Sequence, residues 1–309
     1  MFLLFHAILS SIIQDITNEL TILFTGDLMN IEFYDALTDS DISMSVSDGK
    51  FSQQASNQKP CNTLFFPGCS LLNDAPELVS KTYQFLHTRN MVDGITSLCC
   101  GKILLLNPNA NKEEYQLLMD NFIQSIREHK VRKIITACAN CMIQLNNIFK
   151  EHKLCDGVEV VSLTNVLHDM GVKISIEDDL AVFDSCVDRK PQAFGEPLRK
   201  ILDAPKICEI QYTPDTGYCC GALQQARGDI EGMKIAAKAR GEEGAQTGAN
   251  VMLASCMSCS RILNFQQSSI EVRHYLEYLF DDKIDWSKAN YHMSVCLFLN
   301  SDRKLVNVK

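Results

Sequence analysis

Ten cysteines stand in two sets with the same order and nearly the same spacing, and they are the residues of this chain best suited to chemistry. Each set has a single cysteine, then Cys-Cys-Gly, then Cys-x-x-Cys. The first set is Cys69, Cys99, Cys100, Cys138 and Cys141, and the second is Cys186, Cys219, Cys220, Cys256 and Cys259. Corresponding cysteines are 117, 120 and 118 residues apart (69 to 186, 99 to 219, 138 to 256). Because thiolates bind soft metals, the pattern predicts two metal sites on a duplicated unit of about 118 residues.

The remaining residues narrow the chemistry that these thiols can perform. Four cysteines outside the repeat are expected to be buried free thiols of the core: Cys61, Cys155, Cys208 and Cys296. The seven histidines show no paired metal spacing, so the predicted ligands are all sulfur. The sequence contains no Ser-His-Asp set, phosphate-binding loop or dinucleotide fingerprint that would indicate another catalytic site.

Disulfides, zinc and iron–sulfur clusters are three uses for converging cysteines. Disulfides are disfavoured, because 14 cysteines in 309 residues fall below the content of disulfide scaffolds. In addition, no Lys or Arg precedes Lys50 to begin a secretory signal, so we expect a cytoplasmic protein in a reducing compartment. Zinc binds four thiolates in a closed tetrahedron, one fewer than each set offers, whereas iron–sulfur clusters accept additional thiolates. The usual ferredoxin run of four cysteines is absent, so a cubane cluster of that kind is expected only on a partner.

Each group of cysteines follows an apolar segment typical of a β-strand and lies near a segment with helical periodicity. In the first unit the predicted strands are 63–67, 132–137 and 158–163, and the predicted helices are 76–89, 112–130 and 141–150. In the second unit the predicted strands are 180–184, 207–212, 250–255 and 270–273, and the predicted helices are 194–203, 228–247 and 258–266. Short apolar strands that alternate with helices predict parallel sheets covered on both faces.

The predicted fold is therefore α/β, with two tandem pseudo-repeats of Rossmann-like parallel-sheet units and with the cysteine-bearing loops at the carboxyl ends of the strands. Ligands of open parallel sheets bind at that edge, so three loops of one unit are expected to bring five thiols to one pocket. Gly101 and Gly221, which follow the Cys-Cys pairs, are expected to adopt positive φ or to let backbone amides approach the sulfurs. The predicted divisions are an N-terminal segment 1–60, a first repeat 61–175, a second repeat 176–280 and a tail 281–309.

Composition predicts a globular chain, since 46% of the residues are hydrophobic and 22% are charged. The net charge of −9 disfavours nucleic acid and anionic membranes as partners, although −6 of it belongs to residues 1–60. Polar side chains interrupt the apolar residues 1–24, which predict an amphipathic helix or a start assigned too far upstream rather than a transmembrane segment. Residues 38–59 are polar and Ser-rich, which indicates a linker or disorder. The apolar run VCLFL in the tail predicts either a core strand or a strand that docks on a partner.

The two cysteine sets resemble those of the CCG cysteine-rich domain family. That family includes the cysteine-rich subunit of heterodisulfide reductase and the iron–sulfur subunits of glycolate oxidase, anaerobic glycerol-3-phosphate dehydrogenase and lactate utilisation systems. The resemblance covers about residues 62–280, and both five-cysteine motifs are complete. It implies one noncubane 4Fe-4S cluster for each motif, with the ten cysteines of the two sets as its ligands. Zinc is the alternative metal at the N-terminal motif.

From this resemblance we expect an iron–sulfur oxidoreductase subunit, similar to a disulfide reductase, that exchanges electrons with a thiol, a disulfide or a similar acceptor. The implied partners are a ferredoxin-type iron–sulfur subunit, a flavoprotein subunit or both, together with a small thiol/disulfide or electrons derived from a hydroxy acid. One alternative is an electron-relay subunit of a flavin-dependent 2-hydroxy-acid or glycerol-3-phosphate dehydrogenase. Another is a zinc-binding assembly module without a redox role.

Overall fold

The computed structural model describes residues 30–45, 49–152, 157–212, 219–287 and 295–308, which form an α/β structure. The strands are β1 (Asn30–Asp35), β2 (Ser40–Ser45), β3 (Lys50–Ala55), β4 (Thr63–Phe66), β5 (Gly94–Ile95), β6 (Lys133–Thr136), β7 (Glu159–Ser162), β8 (Ile174–Ser175), β9 (Leu180–Phe183), β10 (Leu202–Asp203), β11 (Ile207–Glu209), β12 (Val251–Ala254), β13 (Glu271–His274), β14 (Leu297–Leu299) and β15 (Leu305–Asn307). The helices are α1 (Cys69–Asp74), α2 (Pro76–His87), α3 (Lys102–Leu106), α4 (Lys112–Glu128), α5 (Ala139–Glu151), α6 (Leu163–Asp169), α7 (Gly195–Ile201), α8 (Ala222–Ala226), α9 (Ile230–Gln246), α10 (Met257–Gln266) and α11 (Tyr275–Leu279). None of these helices is long and apolar enough to cross a membrane. The amphipathic helix predicted for residues 1–24 lies outside the described residues.

The two halves of the chain contain parallel strands in the same order. In the first half β5, β4, β6 and β7 lie side by side, and in the second half β11, β9, β12 and β13 do so. All neighbouring pairs within these two groups are parallel. In both groups the first strand of the unit lies between the second and the third, with the fourth at the edge. The α/β fold with two Rossmann-like repeats, predicted from the sequence, is therefore confirmed.

Several of the central strands are largely apolar. β4 reads TLFF, β9 reads LAVF and β12 reads VMLA, and every residue of β9 and β12 is buried. Such runs are typical of parallel strands that helices cover on both faces. The helices α4 and α9 each contain 17 residues and occupy corresponding places in the two halves. Side chains of Asn111 and Asp229 accept backbone hydrogen bonds at their N-termini, which explains where the two helices begin.

The N-terminal segment differs from the prediction, because residues 38–59 include the strands β2 and β3 instead of forming a linker. β2 pairs antiparallel with β1 and β3, and β1 pairs in parallel with β5, so the first sheet has the order β3-β2-β1-β5-β4-β6-β7. In β2 the side chains of Ser40, Ile42 and Met44 are buried, whereas the residues between them lie nearer to solvent. Two apolar residues among four Ser and Asp residues are enough to bury one face of a strand. The amino-acid composition of the segment does not reveal this alternation of buried and exposed residues along β2.

We expect Ile42→Ala to lower the free energy of unfolding by about 2–5 kcal/mol, because truncating a buried isoleucine leaves a cavity in the core. The matched control is Asp41→Ala, which changes the neighbouring exposed side chain on the other face of β2 and should alter stability by less than about 0.5 kcal/mol. Chemical denaturation followed by circular dichroism measures both variants. Equal stabilities would contradict the packing of this segment as a strand.

The tail forms an antiparallel hairpin of β14 and β15 that packs against the first half of the chain. Leu98 and Leu297 form a parallel bridge, and the backbone amide of Cys99 donates a hydrogen bond to the carbonyl oxygen of Leu297 at 2.8 Å. Residues 295–299 are all buried. The apolar run VCLFL is thus a core strand of this chain, and it lies directly against the first Cys-Cys-Gly loop.

Contacts between α1 and α10 join the two halves beside the cysteine loops. The hydroxyl oxygens of Ser70 in α1 and Ser258 in α10 are 2.6 Å apart and share a hydrogen bond. Arg261 of α10 lies next to Asp74 of α1, with 3.6 Å between Nε and Oδ2, and both residues are buried. Because each of these helices carries a cysteine in its first turn, the contacts bring one loop of the first set against one loop of the second.

Candidate metal centres

All ten cysteines of the two predicted sets lie beyond the carboxyl ends of parallel strands. In the first half Cys69 follows β4, Cys99 and Cys100 follow β5, Cys138 follows β6, and Cys141 lies in the first turn of α5. In the second half Cys186 follows β9, Cys219 and Cys220 follow β11, Cys256 follows β12, and Cys259 lies in the first turn of α10. Cys138 and Cys256 have φ/ψ angles of −129°/120° and −127°/120°, so the two halves build the Cys-x-x-Cys turn in the same way.

The loops of the first half bring their sulfur atoms together. The Sγ atoms of Cys69 and Cys99 are 3.8 Å apart. Gly68 marks the close approach of the first loop to the third, since a Cβ placed there would lie 3.2 Å from the Sγ of Cys141. Gly68 also has φ of +83°, so a side chain at this position would be both strained and crowded. Glycine is therefore required where the two loops meet.

A buried carboxylate from β1 supports the Cys-Cys loop of the first half. Oδ2 of Asp35 accepts hydrogen bonds from the backbone amide of Ser97 at 2.6 Å and from its hydroxyl at 2.7 Å. Oδ1 of Asp35 accepts a hydrogen bond from the hydroxyl of Thr96 at 3.0 Å. Burial raises the pKa of this carboxyl group, and the hydrogen bonds partly oppose that increase. A strand of the N-terminal segment thus positions the loop that leads into Cys99 and Cys100.

The glycine after each Cys-Cys pair has the positive φ expected from the sequence, +76° at Gly101 and +111° at Gly221. The amide nitrogens of these glycines lie 3.4 Å from the Sγ atoms of Cys99 and Cys219, respectively, and donate hydrogen bonds to them. A Cβ at Gly221 would lie 2.8 Å from the carbonyl oxygen of Met233. Glycine thus provides both the backbone conformation and the close approach of an amide to sulfur.

In the second half, hydrogen bonds link neighbouring cysteine thiols in pairs. Cys186 contacts Cys219, Cys220 contacts Cys219 and Cys259, and Cys259 contacts Cys256. Cys220, Cys256 and Cys259 are buried, whereas Cys186 is exposed. The second set is therefore open to solvent on the side of Cys186.

A sixth thiol lies at the first set, and the cysteine spacing in the sequence does not predict it. The Sγ atoms of Cys69, Cys99 and Cys296 all lie within 4.8 Å of one another. The prediction of a buried core cysteine at position 296 is therefore incomplete, because this thiol is buried against two others. A cysteine inside the apolar run VCLFL is the only signal that the sequence carries for it. Cys61 and Cys208 are buried as predicted, and Cys155 lies outside the described residues.

Hydrogen bonds between neighbouring thiols divide the first set into proton donors and acceptors. Donation from Cys296 and from Cys99 holds the pKa of the Cys69 thiol well below its usual range. Donation from Cys141 and from Cys99 lowers the pKa of Cys100 in the same way. The donors retain their protons, since the bonds to Cys100 raise the pKa values of Cys99 and Cys141. Buried sulfurs that share protons in this way suit a cation, which takes the place of the protons.

The second set shows the same division. Donation from Cys186 and Cys220 lowers the pKa of the Cys219 thiol, and the bonds to Cys219 raise the pKa values of its two donors. Donation from Cys259 lowers the pKa of Cys256, and backbone amides at the N-terminus of α10 lower it further. A thiolate at the N-terminus of a helix is well placed to bind a metal.

Several buried hydroxyl groups near the cysteines have no hydrogen-bond partner within the described part of the chain. Three of them adjoin cysteines of the second set in sequence: Ser185, Ser255 and Ser260. The hydroxyl of Tyr275 is a fourth, and its pKa is raised by burial and then by the charge of nearby Cys138. A buried donor without a partner costs about 1–3 kcal/mol, so acceptor atoms at these sites would stabilise the protein.

Two α/β units that each gather five cysteines at one edge of a parallel sheet define a protein with duplicated thiol-rich centres. The family model described as CCG, cysteine-rich domain, matches residues 63–146 and again residues 180–264, which together make up more than half of the chain. The chain belongs to this family. The two matched ranges contain all ten cysteines of the two sets, and Cys296 lies outside both.

Curated relatives of this chain are longer proteins. It is 27% identical over 205 residues to an uncharacterized iron-sulfur protein of Methanococcus maripaludis, covering 63% of this chain and 39% of that protein. A protein of the same description from Methanocaldococcus jannaschii is 24% identical over 183 residues, or 57% of this chain and 36% of that protein. The EtfAB:quinone oxidoreductase of Syntrophomonas wolfei is 23% identical over 172 residues, which cover 52% of this chain and 24% of that protein. The chain therefore spans less than half the length of each of these relatives.

Similarity to solved structures is weaker. A glutamate racemase from Bacillus anthracis aligns over 70% of this chain and 77% of its own length, with 9% sequence identity and a TM-score of 0.36. A similarity of this size supports no conclusion about the present protein.

Proposed function

We propose that the chain is an iron–sulfur redox subunit that holds one cluster of the noncubane 4Fe-4S type at each five-cysteine set. It would transfer electrons to or from a thiol, a disulfide or a similar acceptor. The observation that carries the proposal is that five cysteines follow the strands at each of two sheet edges, one more than a zinc tetrahedron uses. Two relatives described as iron-sulfur proteins support it. Such a cluster supplies single-electron transfer at a sulfur-ligated iron.

The polar groups around the cysteines also suit a cluster. The buried hydroxyls of Ser185, Ser255 and Ser260 need acceptors, and a cluster adds sulfide acceptors to the cysteine sulfurs whereas a zinc ion adds none. The amides of Gly101 and Gly221 already donate toward cysteine sulfur. Hydrogen bonds to sulfur are one of the features that set the reduction potential of a cluster.

The two sets offer different access to a second molecule, so we assign them different roles. Cys186 is exposed, and we propose that the second set meets the sulfur-containing substrate while the first set passes electrons to it. Reduction of a disulfide consumes two electrons and two protons and yields two thiols. Each set would supply one electron, the protons would come from solvent, and an iron–sulfur or flavoprotein partner would restore both electrons. The hydrogen bond between Ser70 and Ser258 joins the helix that carries Cys69 to the helix that carries Cys259.

A relay subunit is the second candidate, and the similarity to an EtfAB:quinone oxidoreductase favours it. In that function neither set would meet a disulfide. Electrons from a flavoprotein partner, and ultimately from a substrate such as a 2-hydroxy acid or glycerol 3-phosphate, would pass through both sets to a quinone-like acceptor.

Metal analysis of the anaerobically purified and reconstituted full chain tests the proposal. We expect about eight iron and eight sulfide per chain, together with an electron paramagnetic resonance signal in one of the two redox states. About two zinc ions per chain, with no iron and no visible absorbance, would replace the proposal with a zinc-binding module. Mixing the reduced protein with a small disulfide or with a quinone then separates the two redox functions, because oxidation by quinone alone would favour the relay.

A further inference from the structure

We infer that Cys296 is a sixth sulfur ligand at the first cysteine set, delivered by the hairpin of β14 and β15. The metal group of that set would then be held by four segments of the chain rather than three. This inference rests on the proposed function for the presence of a metal group at the set. It makes the two centres of the duplicated protein unequal, with six thiols at the first and five at the second.

The distances between sulfur atoms are those of ligands that share a metal. The Sγ atoms of Cys69, Cys99 and Cys296 lie within 4.8 Å of one another, and those of Cys69 and Cys99 are 3.8 Å apart. Metal–sulfur bonds of about 2.3 Å in a tetrahedron put neighbouring sulfurs about 3.8 Å apart. A decrease of at most about 1 Å in the other two sulfur–sulfur distances would give all three sulfurs the spacing of ligands of one metal atom.

The backbone before Cys296 is tied to the first loop of the set by the side chain of Asn73. Its Nδ2 donates hydrogen bonds to the carbonyl oxygens of Val295 and of Cys69, each at 2.7 Å. Its Oδ1 accepts a hydrogen bond from the amide of Val295 at 2.9 Å. One buried amide side chain thus fixes the distance between the segment of Cys296 and the segment of Cys69.

The backbone at and after Cys296 is fixed as well. The amide of Cys296 donates to Oδ1 of Asn307 at 2.8 Å, and its carbonyl oxygen accepts from the amide of Val308 at 3.0 Å. The carbonyl oxygen of Leu297 accepts the hydrogen bond from the amide of Cys99. With its backbone held on both sides, Cys296 has a fixed backbone position from which its side chain reaches the set.

Core packing alone does not explain a cysteine at this position. Cys61 is a core cysteine of similar burial, 3% exposed against 5% for Cys296, and its thiol has the carbonyl oxygen of Thr63 as partner at 3.7 Å. The neighbours of Cys296 in its buried strand segment are Val295 and Leu297. An aliphatic side chain would fill the same space, so it is the contact with two thiols that sets position 296 apart.

A sixth thiolate also predicts a difference in redox behaviour between the two centres. The reduction potential of a cluster falls as its net negative charge increases. We therefore expect the first centre to have a lower potential than the second. Replacing Cys296 with a neutral side chain should raise the potential of the first centre only.

The test uses the full chain with the second set disabled by Cys219→Ser and Cys256→Ser, so that bound metal reports on the first set. Cys296→Ser is added to this background, and Cys61→Ser serves as the control of similar burial. Cadmium ion is titrated into the apo-protein without oxygen, and the ultraviolet absorbance of cadmium–thiolate bonds is recorded. We expect Cys296→Ser to lower the absorbance at saturation and to weaken cadmium binding about tenfold or more, and Cys61→Ser to change neither.

Unchanged absorbance and affinity in Cys296→Ser would overturn the inference. If this variant does not fold, as judged by circular dichroism, then Cys296→Val, which keeps the segment apolar like its neighbours, must show the same loss of cadmium binding. Reconstitution with iron and sulfide in the same background separates the inference from the proposed function. A background chain that binds cadmium through Cys296 but takes up no iron would refute the proposed function alone. Equal iron content and equal reduction potentials with and without Cys296 would refute the inference alone.

Discussion

Replacing Cys219 with serine is expected to empty the second centre and to lower the iron content of the reconstituted chain by about half. Cys219 contacts Cys186 and Cys220 and accepts a hydrogen bond from the amide of Gly221 at 3.4 Å. Its removal therefore breaks the chain of thiol contacts that holds the second set together. Cys99→Ser, which removes the corresponding contacts in the first set, should lower the iron content by the other half.

Cys208→Ser is the matched control for Cys219→Ser. Cys208 lies buried in β11, the strand that precedes the Cys219 loop, but belongs to neither set. We expect this variant to keep its full iron and sulfide content. Metal analysis and electron paramagnetic resonance of the three variants make the comparison. Full iron content in Cys219→Ser would contradict its role as a ligand, and equal losses in Cys208→Ser would point to a defect in folding.

Gly221→Ala is expected to destabilise the protein by about 2–6 kcal/mol and to weaken metal binding at the second centre. With φ of +111°, an alanine at this position would be strained by about 1–3 kcal/mol. The new Cβ would also lie 2.8 Å from the carbonyl oxygen and 3.2 Å from the Cα of Met233. These are backbone atoms of α9, so relief of the clash requires the helix to move, and overpacking of this kind typically costs about 1–3 kcal/mol more.

Gly228→Ala separates the cost of the backbone conformation from the cost of the clash. Gly228 has φ of +77°, but a Cβ there would meet nothing within 4 Å. We expect a loss of about 1–2 kcal/mol from the left-handed backbone alone and no loss of metal. Chemical denaturation of the two apo-proteins, with iron analysis after reconstitution, provides the measurement. Equal destabilisation by the two substitutions would mean that the contact with α9 does not select glycine at position 221.

The duplication explains why most of the candidate site could be predicted from the sequence. A cysteine that recurs after about 118 residues in the same local pattern is recognisable without any structure. The strands are predictable for a related reason, since buried parallel strands are short apolar runs that end at a cysteine. The sequence predicts such a strand over residues 250–255, and β12 spans Val251–Ala254. Local sequence therefore specifies both the elements and the edge at which the cysteines meet.

Cys296 could not be predicted as a neighbour of the first set, because its position depends on contacts between distant residues. It has no counterpart in the repeat, and the bridge between Leu98 and Leu297 pairs segments that local sequence patterns do not relate. The strands β2 and β3 could not be predicted either, but for a different reason. Their residues are mostly polar, and β2 buries only one face, with Ile42 and Met44 as its apolar residues. Pairing with β1, rather than composition, determines that this segment is a strand.

As the proposed sixth ligand, Cys296 would also set the order in which the two proposed centres can be completed during synthesis of the chain. At about 5–20 residues per second, roughly 10–45 s separate the synthesis of Cys69 from that of Cys296. The last cysteine of the second set, Cys259, leaves the ribosome before Cys296 does. The second centre can therefore close first, although its cysteines are made after those of the first set. Meanwhile the loop of Cys99 lacks its hydrogen-bond partner at Leu297. With Cys296 as its proposed sixth ligand, the first centre would thus be completed last, although its other five cysteines are made first.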